Sequence, residues 1–175
     1  MTINSAVAAP VSRKDLRASA LRLRARLGLE KKLYFPVIQF LEWVLPIMDH
    51  AFVLEVLSKA TMGNCHGQAC PEKHTIFIRE DVYYGAIANN GRDRFTIAHE
   101  IGHYSIHKPG HVRYARMESG VRVAAYQNPE WQANTFAAEL LMPYDLIRGM
   151  SIDAIARECA VSHQAATIQV AHTRK

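Results

Sequence analysis

The run His99-Glu100-Ile101-Gly102-His103 has the spacing H-E-x-x-H. On an α-helix, residues i and i+4 lie one turn apart on one face, so the two imidazoles can bind a single metal ion. A catalytic zinc site takes three protein ligands and keeps one position open. Glu100 follows the first histidine and can reach a water at the metal without being a ligand, which is where a general base must sit. The bland alternative is a helix that merely contains two histidines. The flanks argue against it. Phe95, Ile97, Ala98 and Ile101 surround the pair, which predicts a largely buried helix, and buried imidazoles need polar partners. Gly102 sits mid-helix, where glycine costs about 1 kcal/mol against alanine. That cost is understandable if another backbone or a ligand must approach closely.

A third ligand must come from elsewhere. Residues 128–143 read as a second helix, with Pro129 in its first turn and Pro143 as its stop. Glu130, Asn134 and Ala137 share one face, while Ala133, Phe136, Ala137, Leu140 and Leu141 form the apolar stripe. Glu130 is the preferred third ligand, giving a His-His-Glu set of the metalloprotease kind. Asn134, one turn on, can hydrogen-bond a ligand. Glu139 is the rival acid on the same helix, and an ordinary first-turn carboxylate favoured by the helix dipole is the plain reading of Glu130. His107 lies two turns beyond His99, and is read as a helix cap or cleft residue more than a ligand, because Pro109-Gly110 ends the helix. Tyr104, His107 and Tyr126 are the candidates for a second oxyanion donor.

The stretch RFTIAHEIGHYSIH from Arg94, followed by EWQANTFAAELLMP from Glu130, resembles the ImmA/IrrE family of metallopeptidases, and the likeness extends over roughly residues 50–170. The resemblance implies a small zincin-like fold. It implies one Zn²⁺ per chain, held by His99, His103 and Glu130, with Glu100 as general base. It also implies a protein substrate, a helix-turn-helix repressor or an antitoxin encoded nearby, as in phage regulation and toxin-antitoxin systems. The alternative is a metal-containing regulatory module that inactivates a repressor, or binds DNA, without proteolysis. Manganese or iron would suit the same ligands.

Composition sets the frame. The chain has 175 residues, 49% hydrophobic and 21% charged, an ordinary globular balance that predicts one principal domain. No stretch approaches the roughly 18 apolar residues that span a bilayer, and no signal core follows the N-terminus, so the expectation is a cytoplasmic protein with no membrane partner. The net charge of +5 is uneven: residues 1–32 carry +6 and residues 33–175 carry −1. Cysteines at 65, 70 and 159 are too few for a disulfide framework. Cys65, His66, Cys70 and His74 could hold a second zinc or form a bridge, but their spacing fits no usual finger pattern, and an ordinary loop is favoured.

These features divide the chain into a basic N-terminal arm and helix (1–32) and a single metallopeptidase domain (33–175). Residues 1–11 read as disordered. Ser12 caps a helix that runs to Leu27 and stops at Gly28. Its basic face is read as a solvated face of a docking helix ahead of a nucleic-acid surface. An apolar helix near 36–43 follows, then strands at 52–57 and 75–78. Strands before the H-E-x-x-H helix and helices after it predict an α+β domain, with a short sheet beside that helix and a helical C-terminal part. The strand edge beside the helix suits an extended peptide. Residues 151–170 resemble a helix-turn-helix, but the second helix lacks the cationic donors that DNA reading needs, so direct nucleic-acid binding is disfavoured.

Overall fold

A computed structural model of the chain describes residues 2–108, 112–118 and 123–173. Strand β1 (Thr2–Ala8) leads into α1 (Arg13–Arg26), whose N-cap Ser12 accepts from the Asp15 N–H. A helical run follows, with α2 (Val37–Gln39) and α3 (Leu45–Met48) flanking a π-helical stretch, Phe40–Val44. It continues past Pro46, beyond the expected end near residue 43. The wider turn lies just ahead of Pro46, which has no N–H for a regular ladder.

The sheet comes next. β2 (Val53–Leu57) and the short α4 (Lys59–Met62) precede β3 (Gly67–Cys70) and β4 (Thr75–Arg79). The strand order is β2-β4-β3, with β2 parallel and β3 antiparallel to β4. β3 therefore forms an edge. Helices α5 (Glu80–Ile87) and α6 (Gly91–Ile106) follow, and α6 carries the H-E-x-x-H run. Asn90 caps α6, its side chain accepting from the N–H groups of Arg92 and Asp93. His107 caps the other end; the Pro109-Gly110 stop lies outside the described residues.

β5 (Val112–Glu118) pairs antiparallel with β1 along its whole length. This corrects the expectation of disorder over residues 1–11. The partner strand is about a hundred residues away, so the main-chain pairing that orders residues 2–8 leaves little local pattern in the N-terminal segment. Helix α7 (Pro129–Leu141), capped by Asn128, packs against both α6 and α1. A short α8 (Tyr144–Ile147) leads to α9 (Ile152–Cys159) and α10 (His163–Thr173). The result is an α+β domain of the small zincin-like kind, with a three-stranded sheet beside α6.

The core centres on α6 and α7. Ile97, Ala98, Ile101, Ala137, Leu140 and Leu141 are fully buried, with Ile76 and Ile78 from β4. Gly102 lies at the α6–α7 crossing. A Cβ there would stand 3.1 Å from the Ala133 carbonyl oxygen and 3.2 Å from its Cα, so of the backbone or ligand expected at this glycine it is a backbone that approaches.

Candidate metal centre

Helix periodicity puts His99 and His103 on one face of α6, and the close crossing brings the first turn of α7 over them. The Nε2 atoms of the two histidines are 3.0 Å apart. Glu130 reaches both, Oε2 at 3.3 Å from His99 Nε2 and Oε1 at 3.2 Å from His103 Nε2. Among the described residues these three form the one group of His, Cys, Asp or Glu atoms that converge closely enough for a metal ion.

The hydrogen bonds behind the imidazoles assign their protons. His99 Nδ1–H donates to Asn134 Oδ1 at 2.9 Å. His103 Nδ1 lies 2.9 Å from His107 Nδ1. With a proton on each Nδ1, two bare Nε2 lone pairs and a carboxylate face one point. Unshared lone pairs and an anion at such distances repel, and a cation relieves that repulsion. The donor set therefore fits a divalent metal of the zinc type. Without a cation, a proton on Nε2 can take its place, and hydrogen bonds from His103 and His99 then hold the Glu130 carboxyl far below the usual carboxylate range. For His99 burial opposes the charged form, yet Glu130 and Glu100 leave its pKa above the ordinary value.

Glu100 is buried beside the cluster at 7% exposure, and burial pushes its pKa up against the pull of His99 and His103. Its Oε2 accepts the Ala69 N–H of β3 at 2.8 Å. Gly67 makes room for this contact, since a Cβ there would meet Glu100 Cγ at 2.8 Å. The cleft in front of these groups has a volume of about 500 Å³. Strand β3, Glu72, Lys108, Pro129 and the β1–β5 ribbon at Ala6 and Val112 line it.

Other candidates lie elsewhere. Tyr104 is not among the cleft-lining residues. Five residues after His99, it is turned well away from the metal-facing side at 100° per residue. Its hydroxyl donates to Asp49 Oδ2 at 2.5 Å, and its ring packs edge-on against Phe52. Tyr126 is half-exposed and contributes its backbone carbonyl, which accepts from Val11 N–H and Gln132 Nε2. His107 lines the cleft but is 5% exposed and hydrogen-bonded on both ring nitrogens. Glu139 is fully buried and ion-paired to Arg13 at 3.1 Å and Arg17 at 3.0 Å, so the N-terminal helix uses it for docking.

The segment 65–74, expected to be a loop, contains β3. Cys65 Sγ–H donates to the Gly67 carbonyl, while His74 pairs with Asp49 at 2.7 Å. All three cysteines are free thiols. The Ala69 and Gln132 contacts to the site escaped the sequence reading. A polar Gln132 beside the apolar stripe of α7 was the available sign of the second.

No curated relative matches the chain. Among solved structures, a Mycobacterium tuberculosis transcriptional regulator is similar at a TM-score of 0.59 and 17% identity, over 90% of this chain and 46% of that one. At this identity the likeness concerns the fold alone, and the chain spans about half of that regulator's length. The family model described as Peptidase_M78, the IrrE N-terminal-like domain, matches residues 62–172, which include α6, α7 and the C-terminal helices. With nearly two-thirds of its length so matched, the chain belongs to the Peptidase_M78 family.

Proposed function

We propose that the chain is a zinc-dependent endopeptidase that cleaves a protein partner, a helix-turn-helix repressor or an antitoxin. The observation that carries this reading is the convergence of His99, His103 and Glu130 beside a buried acid that is not a member of the ligand set. Membership of a metallopeptidase family supports it. A structural zinc site is closed by four protein ligands, whereas three ligands facing a cleft leave a position for chemistry.

His99, His103 and Glu130 hold the zinc, with Asn134 and His107 fixing the two rings from behind. Bound zinc polarises a carbonyl and acidifies water. Glu100 moves the proton. Its Oε2 is held by the Ala69 N–H, so Oε1 is free to take the proton of the attacking water and return it to the leaving amine nitrogen. Burial raises the pKa of Glu100 and makes its carboxylate a stronger base, which suits a group that must take and return a proton. The edge strand β3 lines the cleft, and an extended substrate can add to that edge by main-chain pairing.

Elemental analysis of purified wild type, Glu130→Ala and His103→Ala tests the site. One zinc per chain in wild type, lost in both variants, is expected. Zinc retained in Glu130→Ala would overturn the ligand set. Incubation of zinc-loaded wild type with candidate repressors then tests the activity. Tight binding of a repressor without cleavage would favour the regulatory module instead.

A further inference from the structure

Behind the metal-facing side of His103 runs a continuous hydrogen-bonded chain that ends in the N-terminal segment. His103 Nδ1 meets His107 Nδ1 at 2.9 Å, and His107 Nε2 meets Gln132 Oε1 at 2.8 Å. Gln132 Nε2 donates to the Ala9 carbonyl at 2.8 Å and to the Tyr126 carbonyl at 2.7 Å. His107 and Gln132 are both buried, Gln132 completely.

The direction of every link follows from its far end. A backbone carbonyl only accepts, so two carbonyls fix the amide nitrogen of Gln132 toward Ala9 and Tyr126. Its oxygen then faces His107 and needs a donor, which sets the proton on His107 Nε2. Neutral His107 is left with a bare Nδ1, which accepts from His103 Nδ1–H. The proton of His103 is thereby kept off Nε2, the atom that faces Glu130. Two peptide carbonyls far apart in sequence select the tautomer of one proposed ligand.

Resting on the metal-site reading above, we propose that Gln132 and His107 are positioning residues that couple the seating of the N-terminal segment to metal affinity at His103. Ala9 directly follows β1 (Thr2–Ala8), and Val11 N–H shares the Tyr126 carbonyl at 2.9 Å. The same carbonyls thus anchor the segment and orient the ligand. Coupling of this kind is reciprocal: metal loading holds the segment, and the seated segment favours metal.

Gln132→Met keeps the side-chain length and removes both the acceptor for His107 and the donors to the carbonyls. Zinc affinity is measured by competition with a chromophoric chelator, on full-length wild type and variant, with circular dichroism to verify folding. Hydrogen exchange over residues 2–11 is followed with and without zinc. Wild type is expected to show slower exchange in that segment when zinc is added. The variant is expected to bind zinc roughly 10- to 100-fold more weakly and to lose that protection. A folded variant with wild-type affinity and wild-type protection would overturn the coupling. If the variant fails to fold, imidazole nitrogen NMR of zinc-loaded wild type decides: His107 as the Nε2–H tautomer supports the relay, and the Nδ1–H tautomer overturns it. Wild type that binds no zinc would overturn the metal-site reading itself, and the relay with it.

Discussion

Glu100 and Glu130 are the same side chain in two proposed roles, and their surroundings separate them. Glu130 is exposed and meets two imidazoles, while Glu100 is buried and meets a peptide N–H. Glu100→Gln keeps the shape and the acceptor for Ala69 but cannot carry the proton. Metal content should stay at the wild-type level while cleavage of a repressor substrate falls roughly 100- to 10,000-fold. Elemental analysis and a gel-based cleavage assay read the two separately, and undiminished cleavage would remove Glu100 from the mechanism. The His-x₃-His spacing was legible because helix periodicity is local. The difference between Glu130 and Glu139 was less so: both are acids on α7, and only the docking of α1 shows Arg13 and Arg17 occupying Glu139. Ala69 was illegible for a related reason, and Gln132 showed only as a polar residue beside the apolar stripe of α7, since the meaning of both lies in segments distant in sequence.

The elements fix the distances between those residues, and the α6–α7 crossing matters most. At Gly102 the two nearest neighbours of an added Cβ are backbone atoms of Ala133, which cannot swing aside. Gly102→Val should cost about 1–3 kcal/mol by overpacking and move Glu130 away from His103. Urea unfolding and zinc affinity should fall together; a stability loss with unchanged affinity would show that the crossing does not set the site. On another face of α6, the Tyr104 hydroxyl, then His74, hold the Asp49 carboxyl down at about 2. A depressed carboxylate stabilises the fold above its ordinary value and loses that effect as pH falls through the folded value. The Asp49 contribution should thus be complete above pH 3.8 and fade toward about 2. A carboxyl NMR titration should show that midpoint, and Tyr104→Phe should raise it toward the ordinary value; an unmoved midpoint would exclude the hydrogen bond as its cause. Strands 53–57 and 75–79 announced themselves through apolar β-branched residues, whereas β1, β3 and β5 did not. These three line the cleft, and β1 and β5 are ordered by a partner about a hundred residues away, which no local pattern announces.

At the scale of the whole molecule, charge and the C-terminal helices serve the interior more than their sequence suggests. Arg24 is fully buried and donates to the carbonyls of Leu140, Leu29 and Lys32, so part of the basic N-terminal helix fastens the chain to itself. The α9–α10 pair has the outline of a helix-turn-helix, yet its turn is pressed against the start of α6. A Cβ on Gly91 would lie 2.4 Å from the Val161 backbone carbonyl carbon. Buried Arg94 donates to the Ala160 carbonyl of that turn at 2.9 Å, to the Phe35 carbonyl at 2.7 Å and to the Tyr34 hydroxyl at 2.8 Å. One side chain on α6 therefore joins the C-terminal pair to the segment before α2. Arg94→Met preserves most of the volume and strands two backbone acceptors, at a cost of roughly 2–4 kcal/mol. Urea denaturation should register that loss, and hydrogen exchange should rise in α9 and α10 before the rest of the domain. Unchanged exchange there would mean that apolar packing by Ile155, Cys159, Val161 and Ala166 holds the pair without Arg94.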